Sequence, residues 1–176
     1  MISRSYLLAI ACVALTIVEI APQDKGSRPS PPVTVTLAIG GNDIVVNYSS
    51  PSVKGREIWG KLVPYNEVWR TGANENTTIS FSKPVKVEGQ ALPAGTYGLH
   101  TIPAAGEWTV IFSKDYKAWG SYSYKQDNDA LRVKVKPQSG DFQERLTFAI
   151  EKQNDKNANV VLTWEKLKLS FKVETN

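Results

Sequence analysis

Cysteine and histidine are almost missing from this sequence, with one of each: Cys12 and His100. A single histidine excludes a multi-histidine metal site, and a single cysteine excludes an intrachain disulfide and a cysteine-based zinc site. Clustered positive charge is missing too. The formal net charge is +4, but Lys and Arg are scattered, mostly at outward strand positions such as Arg132, Lys134 and Lys136. Such residues solvate a sheet face and blunt its edges. A nucleic-acid footprint needs a basic patch, so no nucleic-acid partner is expected. A G-x-S-x-G nucleophile elbow is absent, as is any pair of carboxylates at a spacing that suggests glycoside hydrolysis.

Long hydrophobic runs are missing except at the N-terminus. There Arg4 precedes YLLAIACVALTIVEIA, residues 6–21. The run is short for a membrane span and suits a secretory signal peptide. Residues 1–21 are therefore expected to be removed, leaving a chain without a thiol and without stable membrane insertion. Lipoprotein anchoring through Cys12 fits less well, because the apolar run before it is very short and continues after it. Glu19 spoils a clean small-x-small cleavage signal. Residues 22–32, with QDKGSRPSPP at 23–32, read as a flexible leader. The expected location is periplasmic or secreted.

What remains, residues 33–176, is expected to be one domain. The 41% hydrophobic and 22% charged content of the whole chain is ordinary for a globular protein. Period-two alternation dominates. Val33, Val35, Leu37 and Ile39 alternate with polar or small residues. Gly40-Gly41-Asn42-Asp43 then signals a turn, and Ile44–Tyr48 begins a second strand of a hairpin. Further alternating runs centre on Ile79, Leu99, Val110, Val133 and Phe148, then on Leu162, then on Leu169. About nine strands, each with one apolar face, predict an all-β, antiparallel, jelly-roll-like β-sandwich. Pro64–Trp69 (PYNEVW) is the exception and reads as a short helix in a long loop, with proline suited to the first turn. Leu37, Ile79, Phe81, Val110, Phe112, Val133, Phe148, Leu162 and Phe171 are the expected core. Arg132, Lys134, Lys136 and Lys172 are expected to be exposed.

The stretches SPSVKGR (50–56), VWRTGANE (68–75), LPAGTY (92–97) and EWTVIF (107–112) are similar to those of exported proteins from Gram-negative bacteria. That family is designated domain of unknown function 2911 (DUF2911). The resemblance continues through WGSYSY (119–124) and LRVKVKP (131–137) to the last strand. It implies an exported all-β domain and supplies no activity or catalytic residues.

The candidate site is the polar cluster around VWRTGANE. Arg70 offers a rigid fork of donors for a carboxylate or phosphate; its structural alternative is to pair with Glu75 or cap loop carbonyls. Asn74 tolerates left-handed backbone and can simply shape the loop. Glu75 could serve as a base, a ligand or the partner of Arg70. His100 is a packed strand histidine or a catalytic base, depending on what it touches. Loop aromatics, among them Trp59, Tyr65, Trp69, Trp119, Tyr122 and Tyr124, either stack on a sugar ring or plug the open end of the sandwich. Glycosylation sequons at Asn47 and Asn76 are incidental in a bacterial context. The ligand-binding candidates are therefore Trp69, Arg70, Asn74, Glu75, His100 and Trp119, with Glu75 and His100 as catalytic candidates. No cofactor and no metal are expected. The expected function is a small-molecule or glycan-binding module. The alternatives are a cofactor-free hydrolase using Glu75 and His100, or a structural domain without a ligand. In each case the VWRTGANE side chains are expected to point inward, toward the strand of His100.

Overall fold

A computed structural model describes residues 28–175 of the chain. The expected signal segment, Cys12 and most of the expected leader lie outside the described residues. Ten strands form two antiparallel sheets. They are β1 (Pro32–Ile39), β2 (Asn42–Ser49), β3 (Thr78–Phe81), β4 (Val85–Val87), β5 (Gln90–Leu92), β6 (Gly95–Ile102), β7 (Trp108–Ser113), β8 (Asp129–Val135), β9 (Gln138–Lys152) and β10 (Asn157–Thr175). The larger sheet has the order β1-β2-β3-β6-β7-β8, and the smaller β5-β4-β10-β9. The chain changes sheet between β3 and β4, between β5 and β6, and between β8 and β9.

The two inner faces supply one core. Phe81, Val110, Phe112 and Val133 face Val87, Phe148, Leu162 and Phe171, all buried. The sheets interlock through rings: Phe112 meets Phe171 edge-on at 5.7 Å, and Tyr48 meets Phe148 at 5.0 Å. The Tyr48 hydroxyl also accepts the Phe148 amide at 3.2 Å, which fixes the sheets against each other.

Four local expectations change. Leu37 is only half-buried, because β1 is an edge strand and its inner face is covered from one side. Arg132 is also half-buried, tied to Asp129 and the Tyr124 hydroxyl. The two strands expected around Leu162 and Leu169 are one long strand, β10, bent where Glu165 takes φ 55° and the pairing with β9 slips. That slip is a β-bulge, which bends a strand without ending it. Finally, Pro64–Trp69 forms turns and no helix. Six residues barely complete a helical nucleus. Here Asn66 adopts φ 64° and its amide bonds to the Pro103 carbonyl, while Trp69 bridges to Thr101. Among the described residues, the helical turn that does form is a 3-10 turn at Gln126–Asn128.

The long segment between β2 and β3 closes one end of the sandwich. Its start is stitched to β9: the Leu146 amide bonds to the Pro51 carbonyl at 2.9 Å, and the Val53 amide to the Glu144 carbonyl at 2.8 Å. Its later part is stitched to β6 through Trp69 and Thr101, which exchange backbone hydrogen bonds of 2.8 and 2.9 Å. The segment thus spans from the small sheet to the large one.

Candidate functional site

The Trp69–Thr101 bridge decides which way the neighbouring side chains point, since direction alternates along extended backbone. Trp69 faces a tryptophan cluster at the end of the core. It stacks on Trp164 at 5.9 Å and meets Trp59 edge-on, while Trp59 contacts Trp108 at 5.0 Å. Thr71 is fully buried at φ 54°, a conformation that a β-branched residue avoids. It is held there by hydrogen bonds. Its hydroxyl lies 3.2 Å from both the Trp69 carbonyl and the Thr101 hydroxyl, and its carbonyl accepts from Thr77 at 3.0 Å. Replacing Thr71 by Val keeps the shape and removes the hydroxyl, leaving Thr101 underpaired. The expected loss is about 1–3 kcal/mol in chemical denaturation. A change near zero would show that the hydroxyl does not hold this turn.

Arg70, between these two inward side chains, lies under the loop of residues 114–125. A Cβ added to Gly120 would come within 3.1 Å of Arg70 Nη1 and 3.2 Å of the Tyr122 ring. Gly120 also has φ 67°, so only glycine sits there without strain and without pushing the guanidinium aside. Two cavities flank Arg70. The larger, about 380 Å³, is walled by Arg56, Leu62, Trp69, Arg70, Tyr122 and Trp164, among others. The smaller, about 280 Å³, shares Trp69, Arg70 and Tyr122 and adds Glu67 and Ser121. Arg70 Nε and Trp164 Nε1 are buried and have no hydrogen-bond acceptor among the described residues. A buried donor without an acceptor is costly and uncommon.

The six expected ligand residues separate into groups. Trp69 and Arg70 line the cavities. Asn74 and Glu75 instead hold the incoming chain. Asn74 donates to the Ser30 carbonyl at 3.1 Å, and Glu75 pairs with Arg28 at 2.7 Å beside the Ser49 hydroxyl at 3.5 Å. The end of the stretch expected to be a flexible leader is therefore bound to the domain. Glu75 is not turned into the interior: its side chain is 41% exposed, and its ion pair is with Arg28, where Arg70 or His100 was expected. Trp119 is exposed and lies outside both cavities.

His100 sits on the outer face of the large sheet, opposite the core residue Leu99, and is 2% exposed. The 114–125 loop covers it. Its Nδ1 lies 3.2 Å from the Ser121 Oγ, and its ring is 5.4 Å from that of Tyr124. Burial pushes its pKa down to about 4, against a smaller upward pull from Asp129 and Asp115. The same desolvation, reinforced by the bond to Asp129, lifts Tyr124 to about 12. Asn76, also buried, donates to the Asp115 carbonyl at 3.3 Å and so anchors the same loop. Sequence reasoning did not single out Arg28, Arg56, Ser121 or Trp164. Arg56 closes the SPSVKGR motif, which was the available signal for it. Trp164 reads simply as a strand residue, and nothing local distinguishes Ser121 from its neighbours.

Fold and cleft together define an all-β protein: an antiparallel sandwich with one end closed by an elaborated loop that carries an arginine-centred cleft. Residues 30–173 match the family model described as protein of unknown function (DUF2911). The chain belongs to that family, as its motifs suggest. No curated protein and no solved structure matches it.

Proposed function

We propose that this protein is a small-molecule or glycan-binding module whose site is the cleft around Arg70. The observation that carries the reading is the pair of buried, unaccepted donors on that cleft, Arg70 Nε and Trp164 Nε1. Both residues wall the larger cavity, and polar groups gathered at an aromatic-walled cleft are what ligand sites use. Trp69 and Tyr122 both line the cleft, and the exposed Tyr122 ring suits a sugar face. With the N-terminal apolar run read as a signal peptide, the module works in the periplasm or outside the cell.

The test is a thermal-shift screen of the purified protein against sugars and organic acids. A ligand that binds the folded state raises the melting temperature by mass action. The expected result is a concentration-dependent rise that Arg70→Gln removes. If no compound stabilises the protein, or Arg70→Gln responds like the wild type, the cleft is a clamp and the structural alternative stands.

One contact favours a second reading, a hydrolase. Ser121 lies within hydrogen-bond reach of His100 and on the wall of the smaller cavity. This reading uses Ser121 where Glu75 was expected, since Glu75 turns to Arg28. His100 held near pKa 4 is neutral at pH 7 but a weak base for activating a hydroxyl. A fluorophosphonate probe separates the readings: covalent labelling at Ser121, lost in His100→Gln, supports the hydrolase, and no labelling supports binding alone.

A further inference from the structure

We propose that the ligand of this cleft is an acid: a sugar bearing a carboxylate, with the carboxylate on the Arg56 side of Arg70. The inference rests on the binding reading above and names the class of ligand.

Charge comes first. The ionisable side chains on the walls of the larger cavity are Arg56, Arg70 and Tyr122, and no Asp or Glu is among its wall residues. The one carboxylate at the cleft, Glu67, borders the smaller cavity. The cleft is thus electrically polar, positive on one side of Arg70 and mixed on the other. A neutral ligand makes no use of the charge on the two guanidiniums, whereas an anion gains charge-assisted hydrogen bonds from them.

Geometry then limits the anion. Arg56 is already committed: its Nε donates to the Val53 carbonyl and its Nη2 to the Ser52 carbonyl. It contributes charge and one remaining edge. Arg70 is the guanidinium whose Nε is buried without an acceptor. One guanidinium with spare donors, beside a second whose donors are partly spent, suits the bidentate grip of a planar, singly charged carboxylate. The same pair of cations also accommodates a phosphate, and the galactose 6-phosphate arm of the titration below separates the two.

Shape supplies the rest. Tyr122 is 89% exposed and Leu62 is 44% exposed, yet both stand on the cavity wall. Side chains of this kind cover the apolar face of a ring while its edge hydrogen-bonds. The adjoining cavity shares Trp69, Arg70 and Tyr122, so a second, neutral ring can follow the first toward Glu67.

The test compares galacturonate, galactose and galactose 6-phosphate by calorimetric titration of the purified protein, with di-galacturonate as the longer ligand. Galacturonate is expected to bind about tenfold or more tighter than galactose, the ratio that about one extra charge-assisted bond supplies. Raising the salt should reduce that ratio. Arg70→Lys keeps the charge and loses the fork, and is expected to remove most of the advantage. Tyr122→Ala touches a ring that is almost wholly in solvent. It is expected to weaken both sugars and leave their ratio unchanged, so it reports on the site without depending on the folding of an Arg70 variant. Equal binding of galactose and galacturonate would overturn the acid inference and leave the binding reading standing. Binding of the phosphate alone would overturn the carboxylate. If none of the four binds, the acid inference falls, and stabilisation by another compound in the thermal screen would still uphold a binding module.

Discussion

Replacing Phe112 by alanine is expected to lower the folding stability by about 3–5 kcal/mol, the usual cost of emptying a buried phenylalanine site. Phe112 is fully buried at the centre of the sandwich. It lies edge-on to Phe171 of the opposite sheet at 5.7 Å and to Tyr97 of its own at 6.5 Å. Truncation removes both ring contacts. The cavity it leaves is lined by strands whose hydrogen-bond ladders on both sides resist collapse: β7 pairs with β6 and with β8. A single domain is stable by only about 5–15 kcal/mol, so this one change consumes a large part of the total. Urea unfolding is the measurement, with the midpoint falling and the slope unchanged. A loss below about 1 kcal/mol would mean that the site collapses around the missing ring, and the close-packed interface between the sheets would have to be reconsidered.

The second large effect is a dependence on acid. His100 titrates near its ordinary value of 6.5 in the unfolded chain and near 4 in the folded one, because burial disfavours the imidazolium. A group with a depressed folded pKa stabilises the fold above the unfolded pKa and loses that contribution as pH falls toward the folded one. Between pH 6.5 and 4 the unfolded chain takes up a proton that the folded chain refuses, and stability falls with pH. The full shift corresponds to about 3 kcal/mol. Carboxylates titrate in the same window, so the comparison is with His100→Gln, which keeps a polar group beside Ser121 and removes the titration. Wild type is expected to lose about 3 kcal/mol more than His100→Gln between pH 7 and pH 4. Parallel losses would assign the acid sensitivity elsewhere. The loop over His100 carries Ser121 and ends its cover with Tyr124, and Tyr122 between them lines the cleft. Protonation of His100 is therefore expected to loosen the cleft wall before the sheets unfold.

Both predictions begin from residues whose roles were unequally legible in the sequence. Phe112 announces itself: EWTVIF alternates, its neighbours alternate, and the inward set is read directly from period two. The same rule placed Ile79, Phe81, Val133, Phe148, Leu162 and Phe171 in the core, where the structure has them. It failed where the physical signal is not periodic. Val85–Val87 and Gln90–Leu92 are too short to show a period, yet they form the β4–β5 hairpin because β10 offers a partner edge. Glu165 looked like an interruption between two strands and is a bulge within one, because the β9 ladder resumes on its far side. PYNEVW has helical residues but only six of them, and the carbonyls of Pro103 and Thr101 outcompete a single turn.

Local chemistry and chain order determined the all-β architecture, most of the buried faces and the family, since alternation and motif are properties of neighbours. Which polar residues of VWRTGANE share a cleft was settled only by contacts far apart in the chain. Glu75 is taken by Arg28, forty-seven positions earlier; His100 is capped by Ser121, twenty-one later. Arg70 lines one cavity with Arg56 and Trp164, residues that come from separate parts of the chain. A side chain's direction follows from its own strand, but its partner follows from where another strand ends, and that is fixed by the packing of two sheets rather than by any local pattern.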